Sequence, residues 1–410
     1  MTKLHLNKTK GFLVGILLTC SFFYMAACSF LIPRRVNPKS TLTPVYQNGS
    51  KTSYQATLDP YLDEMIHPWW SAPPTTLPEM ILPEAIIDPT VLADAEFFYQ
   101  KGKEKFDNQN WEDAIIQFDK ALSLNPSHAE AYNFRGAAYR HLSSEHDLSV
   151  YLKNNNLAIM DFTRAALADP TWWRPINNRG ISYVNRADVE PIRENRQAWL
   201  EIAINEFSQA IVLADVDTPA CNRSLLYSRM GMCENAQKDL HQCSSNSFNA
   251  LVSYKECIGD YQAGASLLNS TLKNASATEK PDIYHHLGQS YLEAGNYTEA
   301  LKNLDLSIAT TQEDNSPDDF IPGYILFEKA EAEYNLGNYQ KAKEYILSGE
   351  KYTWIRWGKV YFYLGMIIWQ EGKPDEALIY LEWAEKTLDE SKLLDITRQE
   401  IQKIKSDSLP

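Results

Sequence analysis

Four cysteines, Cys221, Cys233, Cys243 and Cys257, fall within 37 residues, and the only others are Cys20 and Cys28 in an apolar N-terminal stretch. An even number so grouped suits two disulfides in an oxidising compartment, with three possible pairings. The alternative is four reduced, buried thiols acting as small apolar side chains. Zinc is disfavoured, because there is no CxxC pair and His241 is the only nearby histidine. His285-His286 is the other pair with metal-binding chemistry. Neighbouring helical residues point about 100° apart, so the two rings cannot easily share one ion. They read as one groove-facing and one flank-facing histidine. Asp318-Asp319, following Asn315-Ser316-Pro317, reads as a loop before the next helix. HExxH, GxSxG, the phosphate-binding GxxxxGK, an EF-hand loop and the dinucleotide glycine fingerprint are all missing. No catalytic residue, metal ligand or cofactor is assigned, and the expectation is a chain that binds rather than reacts.

The elements that position these residues are helical. Asp88-Pro89 supplies an N-cap and a first-turn proline, and an unbroken helical pattern runs from Thr90 to Phe106. Ala114, Phe118, Ala121 and Pro126 lie 12, 16, 19 and 24 residues beyond Gly102. The same offsets of 12 and 16 lead from Gly288 to Ala300 and Leu304, from Ala330 to Ala342 and Ile346, and from Gly365 to Ala377 and Leu381. The stretch "GNYTEALKNL" (Gly295–Leu304) contains an Asn296-Tyr297-Thr298 glycosylation pattern. Yet it is matched by Gln109–Phe118, Gly337–Ile346 and Gly372–Leu381, so it reads as a turn opening the second helix of a repeat.

This spacing resembles the tetratricopeptide repeat, a helix–turn–helix unit of 34 residues. Gly136/Tyr139, Gly180/Tyr183 and Gly288/Tyr291, the closing Pro126 and Pro170, and the 34-residue step from Gly102 to Gly136 carry the likeness. The resemblance implies an all-α, right-handed solenoid of about seven repeats over roughly 90–390, closed by a C-terminal capping helix. Residues 89–220 would hold repeats one to three, with insertions near 141–155 and 185–198 that emerge side by side on one edge. Residues 221–278 would form a degenerate, cysteine-bearing repeat, 279–388 repeats five to seven, and 389–410 the cap and tail. Stacking is obligatory, because one repeat cannot bury its own apolar stripe.

In such arrays the first helices line a concave groove, at offsets −6, −3, +1 and +4 from each anchor. The residues so placed include Tyr99, Lys103, Asn133, Arg140, Arg174, Asn177, His285 and Gln289, with Asn178 beside them. An asparagine amide both donates and accepts, so Asn133, Asn177 and Asn178 resemble groove residues that hold an extended peptide backbone. The two-lysine carboxylate clamp of chaperone-binding members is not reproduced: Lys103 is present, but Tyr99 occupies the preceding site. The late groove is aromatic, with Tyr324, Phe327, Tyr334, Phe362 and Trp369, either capped by the last helix or open as an anchor site.

Gly11–Ile32 is a run of 22 uncharged residues after a basic leader. At about 1.5 Å per residue it can cross a hydrocarbon core of roughly 30 Å. Residues 1–32 therefore read as a transmembrane anchor, a cleaved signal, or a lipoprotein signal with Cys28 lipidated, since Met25–Ser29 resembles a lipobox. Residues 33–88 read as a Pro-rich linker; ten of the twenty prolines lie in 33–90. The net charge of −14 would repel a phosphate backbone, which excludes nucleic acid as the expected partner. The leading expectation is a non-enzymatic adaptor, membrane-anchored and extracytoplasmic in a bacterial-type envelope, that binds protein or peptide in its groove. The alternatives are a cytosol-facing anchored receptor and a solute- or glycan-binding, weakly enzymatic site in the late aromatic repeats.

Overall fold

Asp88 opens the first helix by capping it: its Oδ1 accepts from the Thr90 amide at 2.8 Å, and Pro89 occupies the first turn. From there the computed structural model describes residues 88–142, 147–243, 248–312, 323–349, 358–389 and 391–407. These hold seventeen helices and no strand. The first three pairs are α1 (Pro89–Asp107) with α2 (Trp111–Leu124), α3 (Ala129–His141) with α4 (Leu148–Ala168), and α5 (Trp173–Asp188) with α6 (Arg193–Leu213). Two short pairs follow, α7 (Thr218–Arg229) with α8 (Cys233–Leu240), and α9 (Phe248–Cys257) with α10 (Tyr261–Leu272). The last three are α11 (Lys280–Glu293) with α12 (Tyr297–Gln312), α13 (Gly323–Asn335) with α14 (Tyr339–Gly349), and α15 (Gly358–Gln370) with α16 (Pro374–Thr387). A single helix, α17 (Ser391–Asp407), ends the array.

The anchor glycines let each pair close. A Cβ on Gly102 would stand 2.5 Å from Phe118 Cε1, and one on Gly288 would stand 2.6 Å from Leu304 Cδ2. Ala114, Phe118, Ala121, Ala158, Phe162, Ala165, Ala300, Leu304, Ala377, Leu381 and Ala384 are fully buried, as their spacing requires. Eight pairs stand where about seven repeats are expected, and the extra one lies in the cysteine-bearing middle. There Ser224 replaces the anchor glycine; it is fully buried, and its Oγ donates to Ala236 O, twelve residues on, at 2.8 Å. Val252 holds the same place in α9, with Gly264 and Leu268 at the two second-helix positions.

The turns confirm this register. Gln109, Gly231, Gly259, Gly295, Gly337 and Gly372 are the described residues with φ near +60° to +80°. Each lies seven residues past Gly102, Ser224, Val252, Gly288, Ala330 or Gly365. A left-handed residue there ends the first helix and reverses the chain, and glycine adopts it without strain. Asn296 then caps α12, its Oδ1 accepting from the Glu299 amide at 3.4 Å. Among the described residues the two stretched repeats carry no such residue. Their added length mostly extends α4 and α6 to 21 residues each, so much of each insertion is helix where inserted loops are expected. The insertions do meet on one edge, where Tyr151 Oη donates to Asn185 O at 3.2 Å.

A cation just before the anchor rivets successive repeats. Arg135 clasps Asp161 of its own second helix with two bonds of 2.7 Å and reaches Asp119 of the preceding repeat at 2.6 Å. Arg179 does the same with Glu206 (2.7 and 2.9 Å) and Thr163 (3.2 Å), and Arg223 with Asp239 and Ser208 (2.7 Å each). Lys329 contacts Asp305 at 2.6 Å and lies 4.5 Å above the Tyr345 ring. Each cation bridges the residue before one large second-helix side chain and the residue after its predecessor. Planar guanidinium suits that two-sided geometry.

Disulfides Cys221–Cys243 and Cys233–Cys257 interlace α7, α8 and α9, with Cα separations of 5.4 and 5.7 Å. This is one of the three pairings that the sequence leaves open. At the far end α17 lies on α16, burying Leu394, Ile401 and Ile404 and turning Arg398 and Lys405 to Glu385 and Glu382. No helix of the described residues is long and apolar enough to cross a membrane. Gly11–Ile32, with Cys28, and the 33–87 part of the linker lie outside the described residues, as does Asp318-Asp319.

Candidate functional site

The concave face is built by α1, α3, α5 and the later first helices, and its four expected positions behave differently. The −3 position is consumed by packing: Tyr99, Asn133, Asn177, Cys221, His285, Phe327 and Phe362 are all buried. Tyr99 sits 4.7 Å from the His128 ring and 6.0 Å from Phe134, and burial, with Glu130 and Glu96, pushes its hydroxyl up to about 12. Phe327 lies against Gly349, where a Cβ would stand 2.5 Å from its ring. Phe362 belongs to the same core as Ile401 and Ile404 of the capping helix. Phe327 and Phe362 are therefore core residues, packed into the cluster that α14, α16 and the capping helix help to build. Met366 and Trp369 remain half-buried against that core.

The groove asparagines are engaged with one another. Asn178 Nδ2 donates to Asn133 Oδ1 at 2.9 Å, and Asn222 Nδ2 donates to Asn177 Oδ1 at 2.9 Å. This ladder ties α3 to α5 and α5 to α7, so Asn133 and Asn177 act first as inter-repeat links. Asn222 escaped the sequence reading, although it follows Asn177 by the 45 residues that separate Asn178 from Asn133. Arg140 is buried over the Phe162 ring and reaches Asn178 O at 3.4 Å. Lys103 pairs with Asp107 at 3.4 Å, while Arg174 is exposed beside Trp173.

Further along, α11 and α13 meet through a polar cluster. His285 Nε2 lies 2.8 Å from Glu328 Oε2, Gln289 Nε2 donates to Glu328 Oε1 at 2.8 Å, and His286 Nδ1 lies 3.1 Å from Gln289 Oε1. Tyr324 packs 4.9 Å from the His285 ring. Burial disfavours a charge on His285, but Glu328 and Asp282 outweigh it and hold the imidazole above its ordinary value. Burial lowers His286 to about 4, and it lifts Asp282 to about 6. The two histidines thus titrate apart. Among the described residues no group of three or more His, Cys, Asp or Glu could hold a metal ion. Beyond this cluster Lys359 spans Glu293 at 3.0 Å and Glu331 at 3.4 Å, and Tyr363 Oη donates to Glu331 at 3.0 Å. Tyr334 is half-buried, its ring 4.9 Å from Tyr363. Glu331 falls at the +1 groove position, whereas Glu328 and Glu293 were not legible as site residues, since their partners come from other repeats.

A family model of the tetratricopeptide repeat matches residues 99–147, and a second matches residues 281–312. Both segments are tetratricopeptide repeats. No curated protein matches the chain by sequence. Among solved structures, the human IFIT1 dimer with m7Gppp-AAAA is similar over 80% of this chain and 88% of its own, at 14% identity and a TM-score of 0.53. Yeast Tom70 matches over 76% of this chain and 96% of its own (14% identity, TM-score 0.40). A tetratricopeptide repeat protein from Parabacteroides merdae matches over 76% and 99% (13% identity, TM-score 0.35). Identities this low speak for the fold alone. The tetratricopeptide solenoid is a fold typical of protein–protein interaction. Its usable concave surface here lies at the −6, +1 and +4 positions, where Glu96, Lys103, Glu130, Arg174, Gln289, Tyr324, Tyr334 and Trp369 are exposed or half-buried.

Proposed function

We propose that this chain is a non-enzymatic scaffold that docks protein or peptide partners on its concave face. Its N-terminal segment holds it at a membrane, on the extracytoplasmic side of a bacterial-type envelope. The observation that carries the reading is the eight-pair stack of first helices, which sets mixed polar and aromatic side chains along one surface on a rigid frame. Ligand-grade chemistry on that surface is hydrogen bonding and aromatic contact, with Arg174, Gln289, Tyr324 and Trp369 the leading residues. The two disulfides favour an oxidising compartment over a cytosol-facing receptor. Burial of Phe362 removes one member of the aromatic set on which a glycan site would rest.

Capture from the native host with the full chain tests the docking surface. Arg174→Glu combined with Gln289→Ala is expected to lose a captured protein that Val212→Ser, on the outside of α6, retains. Equal capture by the two variants sinks the concave reading. Alkylation of the unreduced protein tests the compartment: thiol labelling of all four of Cys221, Cys233, Cys243 and Cys257 sinks the extracytoplasmic reading.

A further inference from the structure

Among the described residues, the hydrogen bonds of greatest sequence separation join the first turn of α6 to the end of α16. Arg196 Nη2 donates to Thr387 O at 2.5 Å, its Nε lies 3.0 Å from Asp389 Oδ2, and its Nη1 donates to Glu190 O at 2.8 Å. Arg193 Nη1 donates to Leu388 O at 3.3 Å. Thr387 and Leu388 stand at the C-terminus of α16, where helix carbonyls lack intrahelical donors and the dipole favours a cation. The two guanidiniums supply both. Leu388 is itself buried, so the contact is packed as well as polar. Arg229 of α7 pairs with Asp188 at the end of α5, and Asp389 adds to the field that raises its pKa. The superhelix therefore comes round within five repeats, and the third repeat meets the eighth.

We propose that Arg193 and Arg196 form a latch that closes the superhelix on itself by capping the α16 C-terminus, and that its release widens the concave face for a partner. The second clause rests on the docking function proposed above; the first does not. The insertion in the third repeat, which lengthens α6 at its N-terminal end, is the part that reaches across. Beside it Glu190, whose carbonyl accepts from Arg196, is buried, yet its Oε2 has no hydrogen-bond partner. Glu190 Oε2 lies 3.5 Å from Arg186 Nη1, a loose contact for a buried pair. Holding Glu190 buried with that oxygen unsatisfied carries a desolvation penalty, which releasing its carbonyl from Arg196 would ease. A joint held by two arginines above an imperfect polar layer is suited to opening.

Hydrogen exchange and small-angle scattering on the full chain test this without any partner. In Arg193→Ala/Arg196→Ala, exchange over 186–196 and 385–389 is expected to rise about tenfold, with a larger radius of gyration and unchanged exchange in α1 and α2. Asp389→Ala removes only an exposed carboxylate and is expected to give a rise of about threefold at the same amides. If the double variant fails to fold, Asp389→Ala alone decides. Wild-type exchange and radius in the folded variants overturn the latch. Because neither readout involves binding, failure of the docking function would leave both unmoved.

Discussion

Arg179→Ala should be among the most damaging single substitutions in the array. Arg179 and Glu206 retain only 8% and 5% side-chain exposure, and the arginine makes two bonds to Glu206 and one to Thr163. Removing it strands a buried carboxylate, a loss of about 3–5 kcal/mol, whereas replacing both partners with apolar residues of similar volume is near neutral. Arg179→Met/Glu206→Leu should therefore recover most of the stability. The carboxyl of Glu206 already sits above its ordinary value, because burial outweighs the charge and hydrogen bond of Arg179. Without the arginine it rises further. A carboxyl raised in the folded state binds its proton more tightly there than when unfolded. Its penalty is thus full above the folded value and shrinks as pH falls toward the unfolded value near 4.5. Urea unfolding of variant and wild type at pH 7.5 and pH 4.5, with hydrogen exchange to localise the loss, checks both points, since repeat arrays can unfold piecemeal. A loss below about 1 kcal/mol at pH 7.5, or one equal at both pH values, refutes the reasoning.

Gly288→Val drives a side chain into Leu304 and should cost about 1–3 kcal/mol in urea unfolding, while Gly102→Val should do the same against Phe118. Reducing Cys221–Cys243 and Cys233–Cys257 should remove about 2–4 kcal/mol per bridge, read as faster exchange confined to 218–272. His285 gains stability from Glu328 that is fully present below its unfolded pKa and is lost as pH rises through the raised folded value. In Glu328→Gln burial is left less opposed, so the His285 imidazole should titrate lower by NMR; an unmoved titration contradicts the assignment.

The recurring spacing of Gly102, Ala114, Phe118 and Ala121 made the helix pairs legible, because small and large residues must alternate wherever two helices touch. The middle was legible only in part: Gly264 and Leu268 marked a second helix, but Ser224 and Val252 stand where glycine was sought, and the left-handed turn seven residues later betrays the register. The rivets were hidden for a related reason. Arg223 and Asp239 lie sixteen residues apart, but insertions move Arg179 and Glu206 to twenty-seven, so the pairs look unrelated in the chain. The residues at the groove offsets all lie on the first helices of their pairs. Which of them reach solvent depended on how closely first helices approach, and that is set by packing across repeats. Asn133 and Asn177 could not be told from ligand-holding asparagines until Asn178 and Asn222 were seen opposite them. The contact of Arg196 with Asp389 spans most of the array and depends on superhelical pitch, which no local pattern encodes.

Photo-crosslinking from single positions tests the central claim, that partners dock on the concave face, most directly. A crosslinker placed in the full chain at Arg174, Gln289 or Tyr324 is compared in the native host with one at Met160, Val212 or Leu347 on the outer helices. The docking surface proposed here predicts one protein crosslinked from the concave positions and not from the outer ones. The same protein crosslinked only from the outer positions would contradict it.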